Sequence, residues 1–557
     1  MTTARRFPRP ALASDLGAGL NVALVSIPEG MAYALVAGVN PVYGLYTGMV
    51  TTIVAALTGT TSRLIVTLTN ALALVAGEQL AALNPEDPAR ALFTLTFLVG
   101  ICMSVLGLLR MGSVIRFVSK EVMTGFIFAT ALLIVLGQYK DLVGYESEAE
   151  GSKLVKAIDI TRHMSSWDGG TVLAGLVSIA ILVALKLSPL RRYGDVLIIV
   201  FATLLVALLG SEGIALVGDI AAVPSGIGAL PMPVLPDFGM IPLLLGGAVA
   251  ATVVGLSESS GVGAAYPNAD GSRSNMSRDF LGQGLGNIAG SFFQALPACG
   301  SLSRTAINVS GGAQTRMSGV FSGLLMALVL VLFGSAAELI PLTGLAALLI
   351  VIGFEVMLRT GRELALAWRT SRANTFLAAL VIAIGILEDL TMAIFAGVLL
   401  SLLAFAVRAA TDVRVVELRP DDDGDWSERP VPSRFDPGST AVLEVRGNLY
   451  FATVYSFDEI LPEAGSLDGV TLILRVRDRQ LQSLTGLSWL EGYAERVKAA
   501  GGRLALADVD KATLDVLRRT GAAEVIGPDN LFEAGDRIFG GTRAALASVR
   551  REASAGD

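Results

Sequence analysis

Long apolar segments recur along residues 11–410, and they constrain the fold more than any other feature of the chain. Roughly 20 apolar residues are needed for one helix to cross the hydrocarbon core of a bilayer. Only 16% of the residues are charged, whereas soluble domains contain about 25%. The sequence therefore predicts a polytopic α-helical membrane protein. About fourteen transmembrane segments are predicted, at residues 12–37, 42–59, 69–83, 89–109, 115–137, 169–187, 194–211, 240–265, 277–294, 303–313, 316–335, 338–357, 373–387 and 389–410.

Two of the shortest spans, the third and the tenth, predict an inverted repeat. Span three follows the potentially extended stretch 63–67, and span ten follows the similar stretch 298–302. Irregular backbone at membrane depth is tolerated only where it is buried in protein or lines a cavity. Each of these spans is the third of its group of seven. Their positions therefore predict a 7+7 inverted repeat with two broken helices facing each other at the midplane.

Lysine and arginine are distributed unequally between the predicted loops. Through residue 411, eighteen of them fall in loops predicted inside and five in loops predicted outside. Because loops rich in Lys and Arg stay in the cytoplasm, both termini are predicted to be cytoplasmic, with residues 1–11 as a tail. The membrane is predicted to be the inner (cell) membrane of a bacterium. Arg304 belongs to neither group and is the one basic residue placed within the membrane.

The composition changes after residue 410. Residues 411–438 contain several acidic residues and prolines and are predicted to form a charged linker. Residues 439–551 predict a cytoplasmic α/β domain with its helices on one face of a small sheet, and residues 552–557 a tail. The predicted strands are 441–445, 449–454, 470–476 and 503–507, and the predicted helices are 456–463, 485–500, 511–519 and 530–551.

The stretch 297–308 predicts half of an anion-binding site. Ser301 or Ser303 is a good N-cap for the short helix that follows. A helix that begins at membrane depth presents free N–H groups and a positive dipole end, which attract anions. Arg304 adds a full charge, and the backbone N–H groups of residues 303–305, including Thr305, are predicted to bind the anion. The alternative is that Arg304 snorkels or caps a helix while the serines only pack.

Thr67, Leu68, Thr69 and Asn70 are predicted to form the opposing helix N-terminus. Ordinary capping by Thr69 or Asn70 is the alternative, and it is compatible with substrate binding.

Two acidic residues lie inside predicted spans: Glu29 in the first and Glu258 in the eighth. A carboxyl group in hydrocarbon favours its neutral, protonated form. The sequence therefore predicts proton coupling, with either acid carrying the proton. The alternative for each is a structural carboxylate, bonded to a helix or paired with Arg304.

Other classes of site find little support in the sequence. Two cysteines, Cys102 and Cys299, and one histidine, His163, give no metal-ligand spacing and no catalytic triad. No metal, no catalytic residue and no cofactor other than the proton is predicted, so the chain is not expected to be an enzyme. No basic patch indicates nucleic-acid binding.

Three motifs carry a resemblance to a known family. Residues 28–47, beginning Pro28-Glu29-Gly30, closely resemble the signature of the sulfate permease (SulP) family, whose animal relatives include pendrin and prestin. Residues 282–293 and 301–308 are similar to its later motifs, and the C-terminal domain resembles its STAS domain. The resemblance implies a uracil-permease-like architecture, in which a core (spans 1–4 and 8–11) moves against a gate (spans 5–7 and 12–14). It also implies a homodimer in lipid and a small anionic substrate. Tyr33 follows the signature motif and is predicted to contact the substrate, with packing in the core as the alternative.

The chain departs from the family pattern at several positions. Glu29 stands where the family usually has Gln, Asn40 where it has Pro, and Leu68-Thr69 where it has Gly-Pro. In the STAS-like domain, Thr485 occupies the place of a phosphorylatable hydroxyl, but Ser483 replaces the Asp that precedes it in related switches. A regulatory or trafficking module with a cytoplasmic partner is therefore the preferred interpretation of this domain.

These observations together predict a secondary active anion transporter that works by alternating access. Proton-coupled symport of a carboxylate such as fumarate, a C4-dicarboxylate, is the first hypothesis. Bicarbonate or sulfate transport, or anion exchange, is the second. A proton-coupled nucleobase permease shares the expected fold, but that class carries an acid at the tenth span where this chain has Arg304. An anion channel or a voltage-driven motor is the last alternative.

Overall fold

The computed structural model describes residues 9–112, 118–209, 213–268, 270–272, 274–411, 413–421, 425–432, 434–447, 453–477 and 483–555. Several predictions fall outside these ranges: the tail at 1–8, part of the strand at 449–454, the tail residues 556–557 and the ends of spans five and seven. Four arginines of the loop count also lie outside them, namely Arg5, Arg6, Arg116 and Arg273. The chain divides into two compact units, one ending at Leu402 and one beginning at Leu403.

Helices occupy all fourteen predicted ranges in the first unit. Among the described residues, eight helices or helix pairs are long and apolar enough to cross a membrane by length and composition, and three shorter apolar segments accompany them. A π-helical turn, Thr47–Thr51, joins α2 to α3. The helices are α1 Arg9–Val36, α2 Val42–Tyr46, α3 Thr52–Thr58, α4 Asn70–Leu83, α5 Pro88–Leu108, α6 Lys120–Gly137, α7 Tyr139–Val143, α8 Lys153–Arg162, α9 Gly169–Leu187, α10 Gly194–Leu209, α11 Val217–Ile220, α12 Ile241–Ala265, α13 Met276–Ser291, α14 Leu302–Ser310, α15 Met317–Phe333, α16 Leu342–Thr370, α17 Arg372–Leu387 and α18 Leu390–Thr411.

Local sequence explains where several of these helices begin. Asp87 caps α5 by accepting a hydrogen bond from the Arg90 amide, with Pro88 in the first turn. Asp168 caps α9 in the same way through Thr171, and these hydrogen bonds hold the pKa of Asp168 below its usual range. The prediction ended span twelve at residue 357, whereas α16 continues to Thr370. The extra turns carry charged residues, so hydropathy gave no signal for them.

Two short strands, one from each half of the predicted repeat, pair with each other, and this strand pair is called the crossing below. β1 (Val66–Thr67) pairs antiparallel with β2 (Cys299–Gly300), with Val66 opposite Gly300 and Thr67 opposite Cys299. Helix α4 follows β1 and α14 follows β2. Because antiparallel partners run in opposite directions, the two helices leave the crossing in opposite senses with their N-termini close to it. The predicted extended stretches and the broken third and tenth spans are thus confirmed.

Glycines let α13 approach α5 closely. A Cβ atom at Gly284 would lie 2.6 Å from the Ser104 amide nitrogen and 2.7 Å from the Gly100 carbonyl oxygen. Such distances are shorter than any normal contact, so only glycine allows the two backbones to touch. This packing fixes α13, whose Gln283 and Asn287 support β2.

The second unit is a six-stranded sheet with helices on both faces. Its strand order is β4-β3-β5-β6-β7-β8, in which β5 to β8 are parallel and β3 is antiparallel to both of its neighbours. The strands are β3 Arg414–Pro420, β4 Trp426–Arg429, β5 Thr440–Arg446, β6 Thr471–Arg475, β7 Arg503–Val509 and β8 Leu531–Glu533, and the helices are α19 Val454–Ile460, α20 Leu484–Ala499, α21 Lys511–Thr520, α22 Ala522–Ile526 and α23 Gly540–Ala555.

The structure corrects three predictions for this unit. The predicted linker, 411–438, contains the strands β3 and β4. Val415 and Leu418 of β3 are buried in the domain, although charged residues surround them in the sequence. The predicted last helix, 530–551, is instead β8 followed by α23, which also takes in residues 552–555 of the predicted tail. The prediction that all helices lie on one face is wrong. Adjacent strand residues are apolar on both faces, and α23 packs through Ala545 against Ile473 and Ala505, opposite α20 and α21.

Replacing Gly284 by alanine is expected to destabilise the membrane unit by about 1–3 kcal/mol, because the added methyl group must force α5 and α13 apart. Thermal unfolding of the purified protein in detergent measures the effect. Gly261→Ala in α12 is the matched control, since a Cβ atom there meets nothing within 4 Å. Equal melting temperatures for the two variants would contradict the role given to this contact.

Candidate anion-binding site

The N-terminus of α14 is capped by its own sequence. The Ser301 hydroxyl oxygen accepts a hydrogen bond from the Arg304 amide at 3.4 Å, and the Ser301 amide donates to the Ile65 carbonyl at 2.9 Å. Ser301 and Ser303 hydroxyls lie 3.2 Å apart, with Ser303 exposed and Ser301 buried. The sequence thus identified the cap correctly. The backbone N–H groups of the first turn point away from the helix body, toward the crossing.

The backbone amide and the hydroxyl of Thr305 both form hydrogen bonds within the protein. Its amide donates to the Ser301 carbonyl at 3.0 Å, and its hydroxyl accepts a hydrogen bond from the Ile65 amide at 3.1 Å. The side chain is fully buried. Of the three amides predicted to bind an anion, those of Arg304 and Thr305 donate to Ser301, to its hydroxyl and its carbonyl respectively.

The facing N-terminus belongs to α4. Thr69 occupies the N-cap position in an extended conformation, but its side chain makes no capping hydrogen bond. Its hydroxyl oxygen instead lies 3.7 Å from the Cys299 sulfur. The Asn70 side chain accepts a hydrogen bond from the neighbouring Ala71 amide at 2.8 Å. Thr67 and Leu68 are buried in the crossing. Thr69 and Asn70 therefore begin α4 as predicted, whereas Thr67 belongs to β1 and Leu68 links the strand to the helix.

Arg304 reaches across to α1. Its Nη2 atom lies 2.5 Å from Glu29 Oε2, its Nε donates to the Ser26 hydroxyl at 3.1 Å, and its Nη1 donates to Ser303 at 3.1 Å. The Tyr33 hydroxyl donates to the same Glu29 oxygen at 3.1 Å. Arg304 is 3% exposed and Glu29 is 5% exposed. The structure therefore brings Glu29, Tyr33, Ser303 and Arg304 together, in the pairing that the sequence left open as an alternative.

Glu258 lies in a separate place from Glu29. The Cys299 thiol donates to Glu258 Oε2 at 3.2 Å, and the same sulfur contacts Thr69. The two acids thus flank opposite helix N-termini: Glu29 accompanies α14 through Arg304, and Glu258 accompanies α4 through Cys299 and Thr69. Each is a charged or protonatable group beside one half of the crossing.

Several residues that support the crossing were not recognised as such from the sequence. The Asn287 side chain donates a hydrogen bond to the Ala298 carbonyl and accepts one from the Ala298 amide, each at 2.8 Å. Gln283 and Ser259 both accept hydrogen bonds from the Gly300 amide. Asn308 donates to the Arg63 carbonyl at 2.9 Å. Gln283 also accepts a hydrogen bond from the Ser259 hydroxyl at 2.7 Å, which joins α13 to α12. The i, i+4 spacing of Gln283 and Asn287 on an apolar helix was the available signal.

A cavity of about 340 Å³ lies elsewhere in the membrane unit, between α1, α10 and α15. Its lining is almost entirely apolar and includes Met31, Ile199 and Met326. It shares no residue with the predicted site, so an anion would find no polar partner there except the Thr203 hydroxyl.

Comparison with known proteins identifies the class. The model of the sulfate permease family matches residues 12–381, and that of the STAS domain matches residues 434–536. The chain belongs to the sulfate permease family. It is a multi-pass membrane transporter of anions with a C-terminal STAS domain, and not an enzyme.

Members of this family and their structures cover nearly the whole chain. The protein YvdB of Bacillus subtilis (strain 168) is 27% identical over 529 residues, which are 94% of this chain and 97% of YvdB. The inward-facing structure of the murine Solute Carrier 26 family member A9 anion transporter has a TM-score of 0.85 at 18% identity, covering 99% of this chain and 93% of that one. The transmembrane domain of the cyanobacterial bicarbonate transporter BicA has a TM-score of 0.59 at 20% identity, covering 72% and 98%.

Arg304→Ala is expected to destabilise this transporter by about 3–5 kcal/mol, because it leaves the Glu29 carboxylate buried without its partner. Adding Glu29→Gln should restore part of the loss, since the amide carries no charge. Thermal unfolding in detergent at neutral pH gives the order of stability. Arg191→Ala, at an exposed arginine, is the control and should change little. A double variant no more stable than Arg304→Ala would contradict the ion pair.

Proposed function

We propose that this chain is a secondary active transporter that carries a carboxylate such as fumarate together with protons by alternating access. The anion is placed between the N-termini of α4 and α14, where two helix dipoles direct their positive ends. The observation that carries the proposal is the contact of Arg304 with Glu29 beside the first turn of α14.

The ion pair supplies a mechanism for proton coupling. While Glu29 is ionised, it neutralises Arg304 and competes with the substrate for it. Protonation of Glu29 removes this competitor and leaves Arg304 with a full charge for the anion. Proton and anion then each favour the binding of the other, as linkage requires of a symporter. Tyr33 and Ser26 hold the two side chains in place during the exchange.

Glu258 is the second candidate for a proton carrier. It lies beside Cys299 and Thr69, at the α4 end of the proposed site. A dicarboxylate such as fumarate carries one charge at each end, and two opposed helix N-termini with one acid beside each suit such an elongated dianion. This arrangement favours a C4-dicarboxylate over a small anion.

Sulfate or bicarbonate is the second candidate substrate. The family description and the relatives with sulfate and bicarbonate in their names support these anions at least as well as a carboxylate. An exchanger for either would use the same two helix N-termini without proton coupling. A nucleobase permease is disfavoured because a neutral base offers no partner for Arg304. A channel or a voltage-driven motor remains the last alternative.

The rest of the proposed cycle uses the core and gate that the resemblance to the family implies. The core (spans 1–4 and 8–11) carries the site against the gate (spans 5–7 and 12–14), in a homodimer in the inner (cell) membrane of a bacterium. Both termini lie in the cytoplasm, where the STAS domain meets a regulatory partner. Ser483 caps α20 by accepting a hydrogen bond from the Gly486 amide, and Thr485 is exposed in the first turn.

Uptake by proteoliposomes tests the substrate and the coupling. Labelled fumarate, sulfate, bicarbonate and uracil are each offered with and without an inward proton gradient. Fumarate is expected to enter, and the gradient is expected to accelerate it. Uracil uptake without anion uptake would overturn the proposed class of substrate, and uptake that ignores the gradient would overturn proton coupling.

Two substitutions test the assigned roles. Glu29→Gln is expected to retain anion binding but to lose stimulation by the proton gradient, because Arg304 no longer has a titratable competitor. Arg304→Ala is expected to reduce uptake by about 10–100-fold, the effect of losing a charged hydrogen bond to the anion. Glu86→Gln, in an exposed loop, and Arg191→Ala are the matched controls. Normal, gradient-dependent transport by both site variants would refute the site.

A further inference from the structure

Two polar residues at the far end of α4 contact the beginning of α18. Glu78 Oε2 accepts a hydrogen bond from the Leu390 amide at 2.9 Å, and the Gln79 side-chain amide donates to the Thr391 hydroxyl at 2.9 Å. Helix α4 belongs to the proposed core and α18 to the proposed gate. These are therefore direct hydrogen bonds between the two bodies that have to separate during transport.

The Glu78 contact has the chemistry of a helix cap supplied by another helix. Leu390 is the first residue of α18, so its amide has no partner within that helix. Asp389 caps the same end from within, accepting a hydrogen bond from the Met392 amide at 2.7 Å. Glu78 adds a second carboxylate at the positive end of a long helix dipole. Breaking this contact costs free energy, because it leaves the Leu390 amide without its hydrogen bond to Glu78.

The Gln79 contact depends on a glycine in a third helix. A Cβ atom at Gly247 of α12 would lie 2.5 Å from Gln79 Cδ. The neighbouring Gly246 is different, because a Cβ atom there meets nothing within 4 Å. Gly247 thus provides the space in which the Gln79 side chain extends toward Thr391.

The predicted topology indicates on which side of the membrane these contacts lie. In the predicted topology, residues 84–87 and residues 388–389 are loops on the outer face of the membrane. The contacts therefore lie toward the outer end of the core–gate boundary, about two helical turns along α4 from the site at Asn70. Leu74, one turn from Glu78 toward the site, is fully buried.

We propose that Glu78 and Gln79 form an extracellular latch, which holds the core against the gate at Leu390 and Thr391 and closes the outer path to the anion site. The proposal rests on the core-and-gate motion of the proposed function, and it assigns to these two residues a positioning role in that motion. The latch closes the outside while the site is open or occluded toward the cytoplasm. It must break each time the site opens outward.

Cysteine modification tests the latch without reference to the substrate. Leu74→Cys is the reporter, and a membrane-impermeant maleimide is added outside, with no anion and no proton gradient present. The signal from native cysteines is subtracted with the same variants lacking Cys at position 74. Glu78→Ala is expected to raise the modification rate about tenfold, and Thr391→Val or Gly247→Ala about fivefold, by loss of a charged and a neutral hydrogen bond respectively. Gly246→Ala should stay within about twofold of the parent.

The outcomes separate the latch from the transport proposal. Faster modification in Gly247→Ala than in Gly246→Ala supports the latch even if Glu78→Ala fails to fold. Equal rates in these two glycine variants, together with an unchanged rate in Thr391→Val, would overturn it. Because the assay reads conformation alone, failure of fumarate uptake or of proton coupling would leave these rates unaffected.

Discussion

The fold depends on satisfying the polar backbone where two helices are broken at membrane depth. Hydrocarbon offers no hydrogen-bonding partner, so every exposed N–H and C=O near the crossing needs one from the protein. The β1–β2 pairing satisfies only part of this requirement. Side chains supply much of the rest: Thr52 to the Val66 carbonyl, Thr305 to the Ile65 amide, Asn308 to the Arg63 carbonyl, Asn287 to both groups of Ala298, Gln283 and Ser259 to the Gly300 amide, and Thr47 to the Leu296 amide.

The same requirement governs the polar groups next to the proposed anion site. Thr305, for example, is bound within the protein: its hydroxyl accepts a hydrogen bond from the Ile65 amide, and its own amide donates to the Ser301 carbonyl. The first turn of each helix differs, because N–H groups there have no intrahelical partner. The breaks that create the backbone problem are thus also where the proposed anion site lies. The glycine contact between α5 and α13 contributes indirectly, because it positions the helix that carries Gln283 and Asn287.

The sequence predicted the helices and the two breaks because both depend on local signals, namely apolar length and interruption by small or polar residues. It also predicted that Ser301 or Ser303 caps α14, and the structure assigns the cap to Ser301. It did not predict the partners of Gln283 and Asn308, since helical periodicity gives the face of a side chain but not what lies opposite. Strands β3 and β4 were missed because their burial depends on pairing with β5, while their composition is that of a loop. The pairing of Glu29 with Arg304 was only one of several options, because 275 residues separate them.

In the proposed mechanism, that pairing gives a role to the difference between Glu29 and the glutamine usual in the family. A glutamine beside Arg304 would leave the cation permanently available, and anion binding would then depend on the anion alone. A glutamate makes the same cation available only when a proton neutralises its partner. The latch residues Glu78 and Gln79 act on a different equilibrium, that between outward and inward access. A symporter needs both controls, because proton-dependent binding without control of access would only equilibrate the anion across the membrane. The two proposed controls both involve α4: the proposed site lies beside its N-terminus, and the contacts with α18 lie toward its C-terminus.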